Sequence, residues 1–573
     1  MANGIFHFMR TISLVSAASR LGLGLLLLPF VLADGGHDHH HNDAAKHDND
    51  EAKYPSTYFA LPDHAGLIYA HIALMTLAWV FVLPVAVMFS LARSRHTLLT
   101  QFVFLAINGL AVLLGTVYNA QTPDLYPGNA HHKIGWIITW VVSAQVLIGL
   151  VGVVSGVVRD RHSGRAAEEH SFIPMTEDSD GHHIFPDSCR FSNDSGQGTE
   201  PHTESVRSNS VSTTLSDEEG VYEPHKEYDD FEDMPLTSPV SKGFFVAKAV
   251  AFASTRVWRY VEICYQIIDR IILPFGFVAL TTGIIAFCRF FEGHEIFSGL
   301  AHWIKGGVFF WLGLFNLGRW SGSFAELGWA WNARPRNSKW RPSAEFVESA
   351  LIFFYGATNI FLEHLGNSGH AFSAQDLEHV SITVLFIGGG LSGMLIESTW
   401  IRDLLNVPVT MVVNDSNPHP DVEREMLQPP EVYQISINPI PALVIMLLGT
   451  MMSSHHQETM ISSMIHQQWG NLLLGASVAR GLTYMILYIK PPKSVLPSRP
   501  PTELLAAFGL IAGGIIFMAS SSDTVAGMIH YDLDAMFLYT VTMGLVGLLM
   551  AWEVLVLALK GWAVRKECQR KAF

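Results

Sequence analysis

The sequence predicts an all-α polytopic membrane protein with roughly eleven transmembrane helices that follow a signal peptide. Three observations predict it. Of the 573 residues, 49% are hydrophobic and only 15% are charged, whereas soluble domains carry about 25% charged residues. Apolar runs long enough to cross a bilayer recur along the chain. Lysine and arginine cluster in alternate connections between those runs, as the positive-inside rule requires.

Composition also excludes several classes of protein. The low charge excludes a disordered chain and argues against a soluble enzyme. The formal net charge of −15 excludes a nucleic-acid binder. The four cysteines are too scattered for a disulfide framework or a thiolate metal site. The lipid bilayer is therefore the first expected partner, and the sequence does not indicate an oligomeric state.

Residues 1–33 have the pattern of a signal peptide. Arg10 and Arg20 precede an apolar stretch that ends in the small-residue pattern Val31-Leu32-Ala33. The stretch is short for a membrane span. Cleavage would leave a histidine-rich segment, residues 34–64, in a lumen or outside the cell. We therefore expect an integral membrane protein of the secretory pathway (endoplasmic reticulum, vacuole or plasma membrane).

The predicted spans form two groups, three spans before the long loop at 159–243 and eight spans after it. They run near 67–91, 98–119, 133–158, 267–289, 300–319, 345–362, 379–400, 438–454, 467–489, 502–520 and 534–559. With the N-terminus outside, every basic connection falls on the cytosolic side, and so does the basic tail, residues 563–573. Glycines within the spans, such as Gly306, Gly307 and the run Gly388–Gly390, are expected to permit close helix packing.

The predicted domains follow from these spans. Residues 65–158 form a three-helix membrane domain, and residues 244–562 form an eight-helix membrane domain. Between them, residues 159–243 are acidic and rich in Ser, Thr, Pro and Gly, which predicts a disordered cytosolic loop. Residues 402–436 are expected to form a second, shorter acidic loop.

Two histidine motifs in the first domain resemble the cytochrome b561 family. The family pattern H-x-x-L-M-x-x-A-W…P is followed by H-x-x-x-G…Q, and the matching residues are His71, Leu74, Met75, Ala78, Trp79, Pro84, His131, Gly135 and Gln145. The resemblance covers about 90 residues and implies that His71 and His131 are axial ligands of haem b.

The topology indicates the same pair independently. Spans one and three run in the same direction, so their opening histidines, His71 and His131, lie at the same depth and could ligate one iron from both faces. His132 is the alternative ligand, about 100° round the helix. The other interpretation is that the histidines are interfacial side chains. A second haem would need a partner for His96, and none is visible, so we expect chemistry confined to the outer face.

A second set of histidines and glutamates is predicted at that same outer face in the second domain. Its members are His302, Glu363, His364, Glu378, His379, His455, His456 and His466. Imidazole and carboxylate groups from several helices at one depth can bind a divalent first-row metal such as Zn or Fe. The alternative is that these side chains lie at helix ends because they prefer water.

Segments 302–314, 377–393 and 454–474 resemble the animal transmembrane protein 45 family, on His302, Glu378, His379, His456 and His466. Taken whole, the chain resembles the fungal Ytp-type membrane proteins. Those resemblances imply the architecture and leave the activity open.

The leading functional hypothesis is a membrane redox protein that carries haem and a second metal and exchanges electrons with an unidentified donor or acceptor. The first alternative is a metal-dependent membrane hydrolase that works through His379, His456 and His466. The second is a divalent-metal transporter. Transport is disfavoured by the expectation that no ionisable residue lies deep in the spans.

Overall fold

The computed structural model describes residues 56–170, 256–292, 296–335, 342–365, 374–416, 427–454, 457 and 459–571. The predicted signal peptide and most of the predicted segments 34–64 and 159–243 lie outside these residues. Residues up to 153 and those from 255 onward belong to one compact unit, and residues 154–254 belong to a second. Apart from the last turns of one helix, residues 154–170, the description below concerns the first unit.

The described residues form helices and no strand, so the all-α prediction is confirmed. The helices are α1 Ala65–Leu91, α2 Thr97–Gln121, α3 Ala130–His170, α4 Arg256–Cys288, α5 Ile296–Ser321, α6 Ala344–Leu365, α7 Ala374–Glu397, α8 Thr399–Ser416, α9 Ile440–Ser454, α10 Met460–Ile489, α11 Pro501–Ala519, α12 Ser522–His530 and α13 Ala535–Lys571.

Each predicted span coincides with one of these helices. Within the described ranges, eight helices are long and apolar enough to cross a membrane: α1, α2, α3, α4, α7, α10, α11 and α13. The shorter helix α9 is apolar over 15 residues. A polytopic helical membrane protein is therefore established, and the count of eleven spans stays a prediction.

Two stretches that the sequence predicts as loops are helical. Helix α3 continues to His170, because its last turns, RAAEEH, are rich in alanine and glutamate, which favour helix. Helix α8 occupies residues 399–416, and most of it lies within the predicted acidic loop 402–436. Its apolar residues recur with helical spacing. A short amphipathic helix also carries polar residues, so its mean hydropathy is too low for a membrane span.

Helix α1 contains a π-helical segment, Leu77–Val82. Pro84 has no N–H to give to the carbonyl four residues earlier, which is that of Val80. The indole Nε1 of Trp552, on α13, donates to this Val80 carbonyl at 3.1 Å instead. This contact joins the first helix to the last and satisfies a buried backbone group that proline leaves without its helical donor.

A buried ion-pair network joins four other helices. The guanidinium of Arg319 on α5 lies 2.9 Å from Glu345 and 3.0 Å from Glu348, both on α6. Arg480 on α10 lies 3.5 Å from Glu348 and 2.7 Å from Glu503 on α11. All five side chains are at least nine-tenths buried. Each charge therefore depends on its partner on another helix rather than on water.

Glycines allow several pairs of helices to pack closely, among them α5 and α11. A Cβ added at Gly306 would lie 2.6 Å from the backbone oxygen of Gly514, closer than real Cβ atoms approach. Gly390 on α7 meets the backbone of Phe353 on α6 in the same way. The expectation that glycines permit close packing is confirmed at these positions, whereas Gly388 has nothing within 4 Å.

Replacing Arg319 should strongly destabilise the fold. We expect Arg319→Met to lower the free energy of unfolding by about 3–5 kcal/mol, because Glu345 and Glu348 lose a charge partner while still buried. SDS titration of the purified protein in mixed micelles measures this loss. The matched control is Lys493→Met, whose exposed pair with Glu431 should contribute about 0–1 kcal/mol. Equal losses in the two variants would contradict the importance of the buried network.

Candidate functional site

His71 and His131 lie together, as the sequence analysis expected from their depth. Their ring centroids are 6.5 Å apart and the ring planes are 83° from parallel. His71 comes from the second turn of α1, and His131 from the first turn of α3. Both side chains are half-buried. His132, the alternative ligand, is exposed, because it lies about 100° round α3 from His131.

The ring of His71 is fixed against α2. Its Nδ1 lies 2.7 Å from the carbonyl oxygen of Ala111. Since a carbonyl only accepts, Nδ1 carries the proton, and the neutral ring presents an unprotonated Nε2. A Cβ added at Gly115 would lie 2.7 Å from Nδ1. Glycine at this position therefore forms a notch into which the imidazole fits.

His131 is held against α4 in a similar way. Its Nδ1 lies 3.5 Å from Thr282 Oγ1, and a Cβ added at Gly283 would lie 3.0 Å from its Cε1. One turn further along α3, Gly135 has nothing within 4 Å. The two histidines thus have glycine notches behind them, on α2 and α4, and open space beside Gly135.

The start of α3 is anchored at the end of α4. The Tyr126 hydroxyl donates to the carbonyl oxygens of Phe290 at 2.8 Å and Phe291 at 3.1 Å. Burial raises the pKa of this phenol, so it keeps the proton that it donates. The Tyr58 hydroxyl accepts from the N–H of Leu125 at 2.9 Å. These contacts fix the chain immediately before His131.

The spacing of the pair fits a shared metal ion. An imidazole nitrogen bonds a first-row metal at about 2.0–2.1 Å, so two opposed imidazoles on one ion have centroids roughly 6 Å apart. The observed 6.5 Å is close to that value. Hydrogen bonding of Nδ1 to a backbone carbonyl, as in His71, is the usual way in which a metal-binding imidazole is oriented through Nε2. The residues present therefore fit a bis-imidazole ligand set.

His302 and His466 form a second histidine pair, between α5 and α10. Their ring centroids are 6.1 Å apart. His466 Nδ1 lies 2.8 Å from the Ser462 carbonyl oxygen, and the His302 ring packs edge-on to Phe517 at 5.7 Å. These are two members of the predicted metal set that the structure brings together.

The rest of that set is not assembled in the part of the chain that the structure describes. Glu378 is exposed and His379 is half-buried on α7. The side chains of Glu363 and His364, and residues His455 and His456, lie outside the described positions. Among the side chains that are described, no three of His, Cys, Asp or Glu are grouped to hold a metal. The divalent-metal site therefore stays a prediction.

The expectation that no ionisable residue lies deep in the spans is wrong. Arg480 and Glu553 are each buried, more than two turns from either end of a helix that can cross the membrane. Asp269 on α4 is also buried, where its carboxylate accepts from Ser90 and, at 2.5 Å, from Gln145. The signal available in the sequence was a charged residue within an apolar run, as at Glu553 in residues 548–559, but one such residue leaves the mean hydropathy of a span high. The objection to a transport function that rested on this expectation is therefore removed.

Two family models match the chain. Residues 275–561 match the family described as Protein YTP1-like, C-terminal, and residues 52–155 match a Domain of unknown function, DUF2427. The first match begins within α4 and extends through α5–α12 into α13, and the second covers α1–α3 up to residue 155. No solved structure matches the chain.

Two yeasts contain membrane proteins that are similar to this chain. The chain is 32% identical to the uncharacterized membrane protein C3B8.06 of Schizosaccharomyces pombe, over 87% of this chain and 94% of that protein. It is 36% identical to the uncharacterized membrane protein YCR061W of Saccharomyces cerevisiae, over 58% of this chain and 53% of that protein. Protein YTP1 of Saccharomyces cerevisiae is 22% identical over 33% of each chain. On the strength of the family match and of the Schizosaccharomyces relative, the chain belongs to the Ytp1-like family of membrane proteins.

Proposed function

We propose that the protein is a membrane electron-transfer protein that binds haem b between His71 and His131. The observation that carries the proposal is the close imidazole pair, with 6.5 Å between ring centroids, on two membrane-spanning helices. Paired histidines on membrane-spanning helices are unusual, because ionisable groups are rare there unless they have a function. The resemblance of the two histidine motifs to the cytochrome b561 family supports the same ligands.

Each residue of the proposed site would have a distinct role in binding haem. His71 and His131 would hold the haem iron through their imidazole rings, His71 through Nε2. The Ala111 carbonyl would hold the His71 imidazole in one tautomer and orientation. Gly115 and Gly283 would leave room for the rings to reach this orientation. Bound haem would supply one-electron oxidation and reduction.

The reaction would be confined to one side of the bilayer. His96 is the histidine that the sequence suggests for a second haem. Its ring packs against Phe89, with 5.8 Å between ring centroids, and its Nε2 accepts a long hydrogen bond from Arg95 Nε at 3.4 Å. Electrons would therefore be exchanged with a donor or acceptor at the His71 end of α1. Under the predicted orientation, this end is luminal or extracellular.

Replacing either ligand should abolish haem binding. The protein purified from haem-supplemented cells should show Soret absorbance at about one haem per chain, the stoichiometry of one bis-histidine site. His71→Ala and His131→Ala should lose it while remaining monodisperse on gel filtration. His132→Ala is the matched control and should keep its haem. Protein that folds but contains no haem, or haem that survives both ligand substitutions, would contradict the proposal.

Filling the notch at Gly115 should weaken haem binding. In Gly115→Ala the new Cβ would lie 2.7 Å from His71 Nδ1, which forces the ring away from the Ala111 carbonyl. We expect haem affinity to fall about 10- to 100-fold, the usual cost of losing the group that orients a metal ligand. Titration of the apoprotein with haem measures the affinity. Gly109→Ala, on the same helix with nothing within 4 Å, should leave it unchanged, and equal losses in both variants would assign the effect to the helix rather than to the notch.

A further inference from the structure

Glu553 is a buried carboxylate with no partner among the described residues. It lies on α13, on the face that also carries Val546 and Leu549, and all three side chains are 0% exposed. Neither carboxylate oxygen has a hydrogen-bond partner. The other buried glutamates among the described residues differ: Glu345, Glu348 and Glu503 are each paired with an arginine. The negative charge of the Glu553 carboxylate must therefore be neutralised by something other than an arginine.

A proton is the ligand that this environment can supply. An unpaired carboxylate in an apolar interior is so costly that the group takes up a proton instead. A bound metal cation would need about six oxygen ligands, and the described atoms around Glu553 offer none at hydrogen-bond distance. We propose that Glu553 is a proton-binding site within the membrane domain and that its proton exchanges with solvent past the end of α5.

The exchange route is indicated by Gly318 and Ser323. A Cβ added at Gly318 would lie 3.7 Å from Glu553 Oε1 and 3.9 Å from Ser323 Oγ. The two oxygens are therefore less than about 8 Å apart, with glycine leaving the space between them open, and one or two waters could bridge them. The N–H of Ser323 donates to the Gly318 carbonyl at 2.9 Å, which fixes the serine above this space.

This site is separate from the proposed haem site, and it would give the second half of the chain a function in binding and releasing protons. Carboxyl groups within a membrane that bind and release protons are the working residues of proton relays and proton-coupled carriers. The α4–α13 part of the protein would accordingly carry out a step that takes up or releases a proton.

Infrared spectroscopy of the purified protein tests the site directly. A protonated carboxyl has a carbonyl absorption separate from that of carboxylates. The wild-type minus Glu553→Gln difference spectrum at pH 7 should contain one such band, and it should shift in D2O. Glu553→Asp, which retains the acid, should move the band rather than remove it. Glu326→Gln, at an exposed position, should leave it unchanged. Absence of the band from folded protein would overturn the proposal, and a band that does not shift in D2O would overturn the exchange.

Gly318→Ala tests the route without touching the acid. Its Cβ fits, with contacts of 3.7 to 4.0 Å, and fills the space between Glu553 and Ser323. The carboxyl band should remain while its D2O shift becomes slower than in the wild type. The matched control is Gly547→Ala on α13, where nothing lies within 4 Å, and its exchange should match the wild type. Unchanged exchange in Gly318→Ala would contradict the route past Ser323.

Discussion

Inside the helix bundle, a polar or charged group has little water to bind, and a partner on another helix removes much of the cost of burying it. This constraint accounts for several specific contacts between helices. The Val80 carbonyl, which Pro84 leaves without its helical donor, is bound by Trp552 of the last helix. Arg319 and Arg480 are neutralised by glutamates from α6 and α11. Each such contact fixes the relative position of two helices that apolar packing alone would allow to slide.

The same constraint shapes the candidate site. His71 satisfies its Nδ1 on a backbone carbonyl of α2, and this hydrogen bond decides which nitrogen is free to bind a metal. The glycine notches at Gly115 and Gly283 let the rings approach the neighbouring helices closely. The orientation of the pair is thus a property of four helices, although only two of them carry the histidines.

The sequence predicted the helices well because each span is a long apolar run, and it predicted that His71 and His131 would meet because both open spans of the same direction. It did not predict the partners of Arg319 or Arg480, since pairing depends on which helices are neighbours. Lysine and arginine near span ends indicate topology in the sequence and do not reveal a buried partner. Glu553 was overlooked because a single acid does not interrupt the hydropathy of its span, and its lack of partners is visible only in three dimensions.

The bis-imidazole geometry is the central claim, and electron paramagnetic resonance of the oxidised, haem-loaded protein tests it most directly. The ring planes are 83° from parallel. Two nearly perpendicular imidazole planes leave two iron d orbitals close in energy, which makes the ferric signal strongly anisotropic. The account therefore predicts a low-spin spectrum dominated by one feature at very low field, absent from His71→Ala. A high-spin spectrum, or the three-line rhombic spectrum of parallel imidazole planes, would contradict it.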